Sequence, residues 1–61
     1  MSAERIARAF HEAYERLAPE HGYETRPDSA VGWEDVPTNN RALMVAVAAE
    51  LLERGVIREG A

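Results

Sequence analysis

Apolar residues at 6, 10, 13 and 17 fall at a 4-3-4 spacing, so Ile6, Phe10, Ala13 and Leu17 share one stripe of a helix over residues 3–17. Tyr14 flanks that stripe, and Ser2 is placed to cap the helix start. Arg5, Glu12 and Arg16 occupy the far side, while Glu4, Arg8, His11 and Glu15 form a second polar strip. Pro19 biases Ala18 away from helical geometry, and Gly22 permits a sharp turn beyond it. A second helix is expected over residues 39–54, with Thr38 as its cap and Leu43, Val47 and Leu51 as its central stripe. Met44 and Ala48 lie beside that stripe. Val45, Ala49 and Leu52 extend it into an arc wider than one partner helix needs. Gly55 suits a left-handed ending, with Val56 reaching back to Leu51.

Residues 18–38 are broken by Pro19, Gly22, Pro27, Gly32 and Pro37, and no helical or strand period survives there. Tyr23, Val31, Trp33 and Val36 recur through this connector and give it something to bury. A connection of such length in a small domain is ordered when apolar anchors hold it, and Trp33 is the strongest anchor available. The expected fold is all-α: a two-helix hairpin over residues 1–61 with a long ordered loop anchored by Trp33. Trp33 to Val36 is expected to form a tight turn, and a short tail follows the second helix.

Sixty-one residues are near the lower limit for a self-sufficient core, and the absence of cysteine removes disulfides and thiolate metal sites as support. Completion by homo-oligomerisation follows as an expectation. The net charge of −4 lacks the basic stripe that a DNA or RNA duplex requires. Neither an apolar run of membrane-spanning length nor a signal peptide is apparent, so no membrane is expected and the cytoplasm is the default location.

Chemistry-bearing residues are few. His11-Glu12 resembles the opening of a helical zinc-protease motif, but position 15 is Glu15 where that motif needs histidine, and His21 lies in the connector. No metal site is expected, nor any catalytic constellation or cofactor. Instead, His11 is expected to bond Glu15 or a loop carbonyl. Asn40 falls in the angular sector of the Leu43 stripe, and its inward amide has two readings. It either fastens the Trp33 segment through loop carbonyls or reads a polar ligand edge beside the free N–H groups of the helix start. Arg41 with Arg26 can clamp an anion, and Tyr14, Tyr23 and Trp33 can sandwich a planar ring.

The order His11-Glu12-x-Tyr14, then Trp33-Glu34-Asp35-Val36-Pro37, then Asn40-Arg41 at a helix start resembles the ryanodine-receptor repeat domain in its short bacterial and bacteriophage forms. The likeness spans residues 6–57. The chain has Gly32 where that family has proline and Val36 where it has leucine. Residues 10–23 are also similar to small bacteriophage proteins. The resemblance implies a helical module without catalytic activity that binds a nucleotide-derived ligand, such as an immune signalling nucleotide sequestered during phage infection. His11, Trp33, Asn40 and Arg41 are the motif positions it carries over. Two other functions fit the sequence. One is a protein-binding inhibitor or adaptor that docks on a host protein through Val45, Ala49 and Leu52. The other is a small self-assembling structural protein.

Overall fold

The structure, a computed structural model, describes residues 2–24, 27 and 30–58. It is all-helical: two α-helices, α1 (Ser2–Leu17) and α2 (Thr38–Glu53), and two single 3-10 turns, Ala18–His21 and Trp33–Asp35, with no strand among the described residues. Both α-helices start one residue earlier than the capping pattern predicts. Pro37 occupies the N-cap of α2 in an extended conformation, and its carbonyl accepts the Arg41 N–H at 2.9 Å. Thr38 is therefore the first helical residue rather than the cap, and no side chain caps this end. Pro19 does not open the chain after Leu17 as expected. A proline needs no donor in the first turn of a helix, so the backbone tightens into a 3-10 turn and continues to His21.

The exits match the glycine signals. Gly55 has φ +73°, its N–H bonds the Leu52 carbonyl at 3.1 Å, and the Val56 N–H bonds the Leu51 carbonyl at 3.0 Å. Those two bonds make a Schellman ending, in which the left-handed residue costs glycine nothing. Gly22, at φ +69°, ends the first 3-10 turn in the same way, through bonds from Gly22 to Pro19 and from Tyr23 to Ala18. The tight turn expected at Trp33 is present, with Asp35 N–H bonded to Gly32 and Val36 N–H to Trp33.

Packing departs from the sequence pattern in a specific way. The buried cluster is Ala7, Trp33 and Ala48, edged by Ala3, Ile6, Met44 and Val45, with Ala18, Val36 and His11 also buried. At 100° per residue, Ala7, His11 and Ala18 lie about a third of a turn round α1 from the Ile6–Phe10–Ala13–Leu17 stripe. Ala48 is displaced similarly from the Leu43–Val47 line on α2. The helices thus meet through Ala7 and Ala48, which allow close approach, with Ile6 and Met44 beside them, while Phe10, Leu43 and Val47 stay outside. Phe10 is 65% exposed, Leu43 63% and Val47 50%, against 3% for Trp33. The assembly is a slab of 30 × 25 × 16 Å.

Trp33 is by far the largest buried side chain, so its removal is expected to be severe. Trp33→Ala should cost about 3–5 kcal/mol, a large share of what a domain this small possesses. The expected outcome is loss of the cooperative thermal transition followed by circular dichroism at 222 nm. A variant that melts as the parent does would show that Trp33 does not hold the fold.

Candidate functional site

Two of the expected site residues, His11 and Trp33, are brought together. His11 on α1 and Trp33 in the second 3-10 turn have ring centroids 5.9 Å apart, and each is 3% exposed. The His11 Nε2 lies 2.7 Å from the Val31 carbonyl oxygen. A carbonyl only accepts, so Nε2 carries the proton and donates it. This bond ties α1 to the chain just before the tryptophan, the loop-carbonyl role expected for His11. Outside this pair, Arg8 bridges the segment by bonding both Glu12 at 3.1 Å and Glu34 at 3.3 Å. All three side chains are more than half exposed, so these pairs add little to stability.

Arg41 and Trp33 line a shallow cleft at the start of α2, together with Glu4, Thr38 and Val45. Arg41 is partly buried, and its Nε is shut off from solvent with no hydrogen-bond partner among the described residues. A buried donor left unmatched costs about 1–3 kcal/mol. Glu4 lines the same cleft without bonding that atom. Asn40 is partly buried beside this turn. Arg26, the other expected half of an anion clamp, lies outside the described residues.

Of the three rings that are either core or a sandwich for a planar ligand, Trp33 is core and the two tyrosines lie apart from it. Tyr14 and Tyr23 meet edge to face at 6.2 Å, and Tyr14 stacks on Phe10 at 5.9 Å. These rings line an open apolar cleft with Leu17 and His21, away from Trp33. Desolvation in this aromatic row, and then the neighbouring Tyr23 phenol, push the Tyr14 hydroxyl above its ordinary range. Among the described residues, no group of three or more His, Asp or Glu side chains is placed to hold a metal ion. None of the described helices is long and apolar enough to cross a membrane.

One further surface feature was assigned to the core by sequence reasoning. An apolar groove runs between α1 and α2 on the side opposite Trp33, lined by Ile6, Phe10, Leu43, Val47, Leu51 and Ile57. It joins the aromatic cleft through Phe10, which lines both. The signal that it is a surface was present in α2, whose apolar residues surround most of the circumference. By contrast, the Val45 flank expected to dock a host protein is partly used inside the chain, where Val45 packs against the Trp33 cluster.

Comparison of the chain with family models, with curated proteins and with solved structures gives no match. The likeness to ryanodine-receptor repeats therefore rests on the motif residues themselves.

Loss of the His11 bond can be isolated with His11→Phe, which keeps an aromatic ring against Trp33. A hydrogen bond contributes about 1 kcal/mol net, so the amides of residues 33–36 are expected to exchange about fivefold faster while α1 and α2 keep their protection. Unchanged exchange in that segment would remove the tether from the account.

Proposed function

We propose that this chain is a non-enzymatic docking module that works through the open apolar face of its helix pair. The observation that carries this reading is the exposure of Phe10, Leu43 and Val47, each half or more in water, on one continuous groove. Burying a side chain of that size is worth about 1.5–3 kcal/mol, so a partner that covers three of them gains substantial affinity. Contiguous exposed apolar surface of this kind marks an interaction site in soluble proteins. The face supplies no nucleophile, general base or metal ligand, which supports binding rather than catalysis.

Site-specific photo-crosslinking in cells tests this directly. A photo-reactive phenylalanine analogue at position 43 is expected to give a discrete product, and one at position 12, on the polar side of α1, is not. Val47→Glu should abolish the position 43 product. A diffuse background from both positions would refute the docking reading.

A second reading is favoured by one observation, the unmatched Arg41 Nε in the Trp33 cleft. Here the chain binds an anionic, nucleotide-like small molecule at the start of α2, where backbone N–H groups and Arg41 supply donors. His11 and Trp33 then shape the cleft rather than touch the ligand. Thermal-shift screening with cyclic dinucleotides and ADP-ribose tests it. A ligand at a hundredfold excess over its dissociation constant stabilises by about 2.7 kcal/mol, which raises the melting temperature by several degrees. Arg41→Ala should erase that rise, and a screen with no rise for the parent chain would dispose of the ligand.

A further inference from the structure

Resting on the docking reading above, we infer that the partner on the apolar face is a second copy of this chain, with α1 of each copy laid over α2 of the other in a two-fold four-helix bundle. Three observations on the shape and surface support this occupant, and the edge charges fix its orientation.

The first is shape. The chain is a flattened body of 30 × 25 × 16 Å, and its Cα radius of gyration of 12.1 Å exceeds the roughly 10.5 Å expected for a globular domain of this length. A second copy placed on the groove brings the pair closer to a globular shape.

The second is area. The chain exposes 4795 Å², whereas a folded monomer of its mass is expected to expose about 4,000 Å². The surplus of about 800 Å² equals the share that one partner contributes to a standard interface. The third is self-complementarity. Both helices bring large apolar side chains to the groove at helical spacing, Ile6 and Phe10 from α1 and Leu43, Val47 and Leu51 from α2. An isologous interface needs one patch that can meet itself, with knobs and gaps from both helices.

Edge charge selects the arrangement. Beyond the apolar stripe, at 100° per residue, the outer edge of α1 carries Arg5 and Arg16 with Glu12, which is bonded to Arg8, and that of α2 carries Glu53 and Glu50, which pairs with Arg54. All of these side chains are exposed. Two copies can be related by a two-fold axis across the helices or along them. The first turns each helix end for end on its own copy, which sets Arg5 against Arg16 along α1 and turns Glu50 and Glu53 toward the uncharged start of the other α2. The second lays α1 on the partner's α2 and sets the arginine edge of one copy against the glutamate edge of the other. Opposite charges across a rim fix orientation in this way.

Sedimentation equilibrium on the purified chain from 1 to 500 µM, in low and high salt, tests the proposal. The expected mass is twice the 6.8 kDa of one chain, with Leu43→Glu shifting it to that of one chain. Because Leu43→Glu can also perturb folding, exposed edge residues provide a second set of variants. Arg5→Glu and Glu50→Arg are each expected to weaken association at least fivefold, and the double variant to restore it. A single-chain mass throughout, in the parent protein, overturns the second copy. So does a dimer indifferent to Leu43→Glu, which would use another face. A dimer that needs Leu43 but ignores both charge reversals overturns the α1-over-α2 arrangement. If the purified chain is monomeric while position 43 still crosslinks to a heavier discrete species, the docking reading stands and the second copy fails.

Discussion

Helix α2 is apolar round most of its circumference, broken by Arg41 on one side and by Glu50 and Glu53 on another, so it must be covered on more than one side, and one chain has material for only part of that. Trp33 and Val45 fill one side, and α1 meets α2 through Ala7 and Ala48. An alanine seam brings two helices close but removes little area from water, at about 25 cal/mol per Å². The stabilisation inside a single chain therefore falls mainly to one indole. Around it the larger side chains, Phe10, Leu43 and Val47, remain in solvent. Their exposure is the direct consequence of the helices turning their small residues toward each other.

This arrangement explains why the chain invests a conspicuous sequence motif in a loop. A tryptophan on a connector stabilises a helix pair only if the connector is held in place, and His11 does that by donating to the Val31 carbonyl. The Trp33–Asp35 turn then ends at Val36, which is also buried, and Pro37 sets the extended backbone from which α2 departs. His11, Trp33, Val36 and Pro37 thus act as one structural unit. His11 and Trp33 are each almost wholly buried, with their rings 5.9 Å apart.

The sequence made the elements legible because their signals are local. A 4-3-4 spacing, Gly22, Gly55 and Pro37 act within a turn of where they stand, and both helices begin within a residue of expectation. Long-range packing is another matter. Periodicity identifies which residues of α1 face the same way, but not whether they meet α2, Trp33 or a surface outside the chain. The most regular stripe on each helix was therefore read as the internal core, when the contact inside the chain uses alanines about a third of a turn away. Alanine carries a weak hydrophobic signal in any pattern and a strong steric one in a close helix crossing. The cleft at Arg41 was partly legible, since Arg41 and Asn40 both lie in the first turns of α2. That Tyr14 and Tyr23 join Phe10 rather than Trp33 was not, because it depends on the 3-10 turn through Pro19 that carries Tyr23 back toward α1.

The two proposed surfaces are compatible because α2 presents them on different sides. At 100° per residue, Arg41 lies about 140° from the midline of Leu43 and Val47, and its cleft shares none of the groove's lining residues. Association through the groove leaves the Arg41 cleft facing outward on each copy. The same helix also couples them. Covering Leu43, Val47 and Leu51 fixes the α2 axis, and the Trp33 turn that walls the Arg41 cleft packs on that axis through Ala48. A lone chain, held by one indole and an alanine seam, gives that wall little support. On the proposed pairing, assembly through the groove would precede any function at the cleft, because it covers the helix on which the cleft is shaped.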